Sequence, residues 1–204
     1  MFRSVKRAAK HVVSKKYSYL KKFAIKKGDV VIDLGANVGE VSEYFLAKGA
    51  TVHAYEPNPY AYNLLEKRLG KKHNIVLHKS AVSNFDGRSM LWLHHRHDEN
   101  EVMFSQAASL KSEKENVSED AVEVMVENID NVLAAHDKIK LIKIDIEGGE
   151  YDIMDSVIAS ADKIDYVLLE THEKKNKAFQ EKNDLLMQKI DHAGLRDKIY
   201  LDWF

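Results

Sequence analysis

Val30-Val31-Ile32-Asp33-Leu34-Gly35-Ala36-Asn37-Val38-Gly39 decides how the rest of the chain is read. Four of its first five residues are apolar and three are β-branched, as expected of a short strand buried on both faces. The glycine-bearing loop 35–39 then breaks the run, and residues 40–48 have the spacing of a helix closed by Gly49. Gly35 permits a tight turn, and Gly39 lets a helix begin close to the strand.

Outward from that stretch the pattern repeats. Residues 51–56 read as a second strand. Pro57-Asn58-Pro59 holds both prolines of the chain and opens a helix over 60–69, which Gly70 stops. Residues 74–79 make a third strand. Strands and helices alternating at these lengths predict an α/β fold: a doubly wound, mostly parallel sheet with helices on both faces and right-handed connections. The middle of the chain differs. Residues 90–93 form a short apolar run, read as a strand or hairpin, and the polar stretch up to 116 reads as an irregular segment covering the functional edge of the sheet. Residues 121–126 alternate like a strand, and 127–136 read as a helix. The parallel pattern resumes with a strand at 141–145, a Gly148-Gly149 turn, a helix over 150–160 and a strand at 166–170. A long charged helix over 174–193 carries Phe179, Leu186 and Ile190 on one face and stops at Gly194. A last strand over 198–203 ends the chain.

A chain of 204 residues suits one domain with a real core. No apolar run reaches the roughly 20 residues of a membrane-spanning helix, and the basic N-terminus lacks the apolar stretch of a secretory signal. With no cysteine, disulfide frameworks, thiolate metal sites and cysteine nucleophiles are excluded, and a cytoplasmic location is the simplest expectation. Charge is segregated. Residues 1–28 hold ten Lys/Arg and no acid, whereas the rest holds 32 acids against 21 bases. Phe2, Val5, Ala9, Val12, Val13, Tyr17, Leu20 and Phe23 recur at helical spacing within this head. Residues 1–27 therefore read as a basic amphipathic helical segment, and 28–204 as the enzyme domain. The plain reading of the head is a helix packed on the body with a solvated basic face. The sharper one is a surface for phosphate, an anionic glycan or a membrane face.

Ligands of open α/β sheets sit beyond the carboxyl ends of the strands. Five such ends converge on acids and small residues: 33–39, 56–58, 79–83, 145–150 and 170–173. A dinucleotide fingerprint counted from Gly35 would need glycine where Asn37 and Glu40 stand. Asp33, two residues before Gly35, would face a positive charge rather than a pyrophosphate, and S-adenosylmethionine carries an ammonium and a sulfonium without phosphate. Glu56, 21 residues after Gly35, is placed to grip ribose hydroxyls. The expected cofactor site is Asp33, Gly35, Ala36, Asn37, Gly39, Glu56, Pro57, Asn58, Ser80, Ala81 and Asp145.

Three blocks, Val31-Ile32-Asp33-Leu34-Gly35-Ala36-Asn37-Val38-Gly39, Tyr55-Glu56-Pro57-Asn58-Pro59 and Lys143-Ile144-Asp145-Ile146-Glu147-Gly148-Gly149-Glu150, resemble the FkbM family of S-adenosylmethionine-dependent methyltransferases. The resemblance runs from about Gly28 to about Glu173, roughly seven-tenths of the 204 residues. Its most specific part is the Ile-Asp-x-Glu-Gly-x-Glu block. It implies a Rossmann-like class I methyltransferase sheet and methylation of hydroxyls on sugars or natural products. The basic head lies outside it. So does the C-terminal end: the family fold's seventh, antiparallel edge strand has no residues left after Phe204, so the sheet is either one strand short or counted one too few.

Methyltransferases acting on amino groups commonly carry Asn/Asp-Pro-Pro-Tyr after the fourth parallel strand. Here Asp145-Ile146-Glu147-Gly148-Gly149 offers no aromatic to stack on a planar base. A hydroxyl of a sugar, glycan or small molecule is the expected acceptor, and it needs a base within hydrogen-bond reach. His172, Glu170, Asp145 and Glu147 are the candidates, with His172 preferred for its ordinary pKa. A divalent ion is the competing activator; Asp145, Glu170 and His172 would form an O/O/N set suited to Mg²⁺ or Mn²⁺. His94-His95-Arg96-His97-Asp98-Glu99 is read as a polar segment after a strand, because adjacent histidines on an extended chain point to opposite sides. One or two of these, with Ser105 or Ser109, could touch substrate. The alternative function is a nucleic-acid methyltransferase using the basic head as an arm.

Overall fold

The computed structural model describes residues 18–94, 109–110, 117–173 and 177–201. The first 17 residues of the basic head, residues 95–99 of the histidine-rich run and Ser105 lie outside them. Six strands, β1 (Val30–Leu34), β2 (Thr51–Tyr55), β3 (Ile75–His78), β7 (Ile139–Ile144), β8 (Ile164–Leu169) and β9 (Ile199–Leu201), form one sheet in the order β3-β2-β1-β7-β8-β9. Every pairing in it is parallel. The order runs outward from β1 in both directions, so the switch point lies between β1 and β7.

Successive side chains of a strand point to opposite faces, and both faces here are covered. Val31, Leu141 and Leu168 pack with Phe45 of helix α1 (Glu40–Ala47) and Leu65 and Leu69 of α2 (Pro59–Leu69). Their neighbours Ile32, Ile142 and Val167 face the other way. They pack with Val132 of α3 (Ile129–Ala134), Ile153 and Val157 of α4 (Glu150–Ala159) and Ile190 of α5 (Lys177–His192). The sheet is doubly wound, as its near-continuous apolar strands predict.

Two elements differ from the sequence reading, and a third resolves a choice it leaves open. The strand expected at 121–126 extends as β6 (Val117–Asn128), so the helix expected from 127 begins at Ile129. The signal is Asn128, whose side chain accepts from the Asp130 amide and caps the helix. Ser80 and Ala81 do not trail from β3. They open β4 (Ser80–Ser83), which joins β6 and β5 (Gly87–His94) in a second small sheet ordered β4-β6-β5. Lastly, β9 lies parallel to β8 at the sheet edge. Among the described residues the main sheet has six strands and no antiparallel edge strand.

The end of the basic head belongs to the core. Leu20 and Phe23 are buried, and the Phe23 ring lies 5.3 Å from that of Tyr166 and 5.2 Å from that of Tyr200. The Lys22 ammonium sits 4.0 Å from the Tyr200 ring centroid, so a basic residue here covers aromatic surface as well as facing water. No helix among the described residues is long and apolar enough to cross a membrane. Truncating Phe23 to Ala should lower the unfolding free energy by about 3–5 kcal/mol in denaturant titration. A loss within 1 kcal/mol would show that this segment adds little to the core.

Candidate active site

The switch point is held together by a buried lysine. Asp33 and Lys143 are register partners on β1 and β7, and both project toward the α1 side of the sheet. The Lys143 ammonium is 3.2 Å from Asp33 Oδ1 and 3.4 Å from Asp145 Oδ2, and it donates to the Gly35 carbonyl at 2.6 Å. Ser42 on α1 donates to Asp33 Oδ2 at 2.6 Å. Burial works against the lysine charge, but the carboxylates of Asp33 and Asp145 outweigh it and raise its pKa. Asp33 is therefore not the cavity-facing carboxylate expected from the sequence. It is wholly buried, and its charge is answered by Lys143 and Ser42.

The loop above is shaped by what it touches. Gly35 has φ 77°, and a Cβ there would fall 1.9 Å from the Asp145 carbonyl oxygen. No side chain fits between the ends of β1 and β7. At Gly39 a Cβ would meet Leu65 at 2.6 Å, so that glycine admits helix α2 rather than the strand. Glu56, at the end of β2, accepts from the Asn37 amide at 2.7 Å and the Asn58 amide at 2.8 Å. Burial raises its pKa to about 7 despite those hydrogen bonds. The Asn58 side chain in turn accepts from the Tyr60 amide and caps α2.

A cavity of about 380 Å³ opens over these strand ends. The loop residues Gly35, Ala36 and Asn37 and the β2 end at Glu56, Pro57 and Asn58 form one side. Ser80, Ala81 and Leu91 make a wall from the second sheet, with Leu110 packed against it, and Asp145, Glu147 and Glu170 form an acidic lip. Of the expected cofactor residues, Asp33 and Gly39 are the two outside the lining.

The lip rests on a strained turn. Glu147 takes φ 55°, a left-handed conformation disfavoured for a residue with a Cβ. Glu150, fully buried at the start of α4, folds back to accept from the Gly148 amide at 2.8 Å. Its other oxygen lies 2.9 Å from His172 Nδ1 and accepts from the His172 amide at 3.1 Å. Ser109 donates to the Glu147 carbonyl at 2.7 Å and pairs with the backbone of Trp92. The middle of the chain thus returns to the functional edge at Ser109 and Leu110.

His172 is not the poised base expected from its ordinary pKa. Nε2 is buried, lying 3.3 Å from Glu147 Oε2 and 3.9 Å from Asp145 Oδ1. Burial lowers its pKa, but the facing Glu147 and Glu150 carboxylates outweigh this and raise it to about 10. Glu170 is the lip residue shifted toward neutrality, to about 7, by burial and the nearby Asp145 charge. The expected metal set also changes: the structure gathers Asp145, Glu147 and His172, with ligand atoms all within 4.8 Å of one another, whereas Glu170 stands outside the group.

Lys143, Ser42 and Glu150 were missed as site residues. Lys143 had a signal: a lysine flanked by Leu141, Ile142 and Ile144 in a doubly covered strand must find a buried anion.

A family model described as the methyltransferase FkbM domain matches residues 33–196. No curated protein matches the chain. Three solved structures resemble it distantly. One, assigned as an rRNA methylase from Clostridium thermocellum, is 11% identical over 86% of this chain and 80% of its own, at TM-score 0.47. Another, a precorrin 8W decarboxylase from Methanobacterium thermoautotrophicum, is 14% identical over 87% of this chain and 70% of its own, at TM-score 0.41. A protein assigned as a sarcosine dimethylglycine methyltransferase from Galdieria sulphuraria is 18% identical over 36% of this chain, at TM-score 0.31; this chain spans only 29% of that one.

Replacing Lys143 by Met strands the Asp33 charge and should cost about 3–5 kcal/mol of stability. The double variant Asp33→Asn, Lys143→Met should recover much of that loss in denaturant titration. Strictly additive losses would contradict the pairing.

Proposed function

We propose that this chain, which belongs to the FkbM methyltransferase family, transfers a methyl group from S-adenosylmethionine to a hydroxyl of a sugar or other small-molecule or glycan acceptor. The observation that carries the reading is the cavity at the switch point, with Glu56 at one end and the carboxylates of Asp145, Glu147 and Glu170 at the other. The residues present fit the cofactor. The Glu56 carboxylate is fixed by two backbone amides and borders the cavity, where it suits the paired hydroxyls of a ribose. The backbone at Gly35 lets a ligand approach the strand end closely. The acidic lip favours a cationic ligand and disfavours a pyrophosphate. When bound, S-adenosylmethionine supplies an electrophilic methyl group on sulfur.

The chain's own part is positioning and proton transfer. Holding the acceptor oxygen in line with the methyl carbon supplies much of the rate. As the oxygen–carbon bond forms and the carbon–sulfur bond breaks, the hydroxyl proton goes to a carboxylate. We assign that role to Glu170, which borders the cavity, in place of His172. The products are a methyl ether and S-adenosylhomocysteine.

The basic run at residues 1–28 favours a second reading, in which RNA or DNA is the acceptor. RNA retention that falls steeply with salt would support it; no retention at low salt would remove it.

Glu56→Gln should weaken S-adenosylhomocysteine binding by about 10- to 100-fold in calorimetry, the range for losing charge-assisted hydrogen bonds. The same titration has a pH signature. Glu56 and Glu170 both border the cavity with a pKa raised to about 7, so the Glu170→Gln variant is used to isolate Glu56. In that variant affinity should fall as pH drops below 7, approaching about tenfold per unit, and adding Glu56→Gln should remove the slope. An affinity flat from pH 5 to 8 in the Glu170→Gln variant would contradict the ribose role. Glu170→Gln should lower kcat by about 10²- to 10⁴-fold with S-adenosylhomocysteine affinity kept; full turnover would remove Glu170 as the base.

A further inference from the structure

Asp145 and Glu147, which line the cavity, gather with the imidazole Nε2 of His172, buried behind them. We propose that these three side chains form a divalent-cation site whose remaining coordination positions face the cavity, where the ion binds and activates the acceptor hydroxyl. The proposal rests on the methyltransferase reading of the same cavity and adds a cation to it.

The argument begins with His172. Its side chain is 1% exposed, and the buried Nε2 makes no hydrogen bond although it faces two carboxylates. A polar atom buried without a hydrogen bond calls for a partner, and a cation bound there would replace the proton that Glu147 and Glu150 otherwise hold on the ring. The other face of the ring is fixed. Nδ1 lies 2.9 Å from Glu150 Oε1, and that oxygen also takes the His172 amide. A histidine that donates through one nitrogen to a buried carboxylate and presents the other is the arrangement by which proteins orient a metal-binding imidazole. Glu150 is tied to the turn through Gly148, so the element that aims His172 also sets the position of Glu147.

Charge and distance agree with this arrangement. Asp145, Glu147 and Glu150 face one imidazole, and three carboxylates to one ring favour a divalent cation over a single proton between them. Among the described residues Lys143 is the buried lysine nearby, and its charge is shared among Asp33, the Gly35 carbonyl and Asp145. Neighbouring ligands around an octahedral ion with bonds of about 2.1 Å stand about 3 Å apart. Nε2 is 3.3 Å from Glu147 Oε2 and 3.9 Å from Asp145 Oδ1, so small side-chain rotations would close the set. An O/O/N donor set without thiolate suits Mn²⁺ or Mg²⁺. The side chains of Asp145 and Glu147 are 24% and 12% exposed, which leaves the open side of the site toward the cavity. There the ion would act as a Lewis acid, lowering the pKa of a bound hydroxyl and holding it for methyl transfer.

Mn²⁺ titration of the full chain, followed by loss of the free-ion paramagnetic resonance signal, tests the site. The expected result is one saturable Mn²⁺ per chain, displaced by excess Mg²⁺. Glu147→Gln and His172→Gln should each weaken it at least about tenfold, in variants that still unfold cooperatively. Absence of saturable binding by the wild type would overturn the proposal, as would wild-type Mn²⁺ affinity in the cooperatively folding Glu147→Gln variant. Calorimetry with S-adenosylhomocysteine on the same preparation separates the two readings. Cofactor binding without any Mn²⁺ binding removes the cation site alone, and Mn²⁺ binding without cofactor binding removes the methyltransferase reading alone.

Discussion

The ion pair between Asp33 and Lys143 is the constraint around which the site is arranged. A lysine buried in a central parallel strand is tolerated only if its charge is met on the spot. The register that places Asp33 opposite it meets that charge and also fixes how β1 and β7 align. From there the lysine reaches up to the Gly35 carbonyl and across to Asp145, joining the loop after β1 to the turn after β7. Gly35 is then left so little room that only a hydrogen fits beneath the loop. The cavity floor is thus set by one charge pair and one missing side chain.

A second buried acid organises the other half. Glu150 carries out on the α4 side what Asp33 does on the α1 side, since each oxygen is spent on a named donor. It holds Glu147 in a conformation the residue would not choose alone and locks His172 behind the lip. Acids that line the cavity are therefore separated in role from acids that brace it. Asp145 belongs to both groups, touching Lys143 on one side and facing His172 on the other.

Much of the main sheet was legible because its strands are short apolar runs, and β1, β2, β7 and β8 are each followed by a helix of matching period. The second sheet was not. β4 is four residues long, and a parallel pairing of β4 with β6 across more than 40 positions leaves no local mark. Likewise, the helix boundary at Ile129 depended on one capping asparagine that the apolar pattern does not weigh. For the site, the position of the loop after β1 and of Glu56 beside the cavity could be read from spacing, since a strand end and a turn nearly fix where the backbone goes. Which acid faces a ligand and which faces a lysine could not. That depends on the alignment of two strands 110 residues apart, the one carrying Asp33 and the one carrying Lys143. His172 shows the same limit, because an ordinary histidine pKa says nothing of the three acids that the fold brings around it.

The central claim is that a hydroxyl oxygen receives the methyl group. Incubating the protein with trideuteromethyl S-adenosylmethionine and a panel of sugars and glycans, with RNA alongside, tests it by mass spectrometry of the products. The account predicts a trideuteromethyl ether on a sugar hydroxyl and unlabelled RNA. Label found on RNA or on an amino nitrogen, with every sugar unmodified, would contradict it.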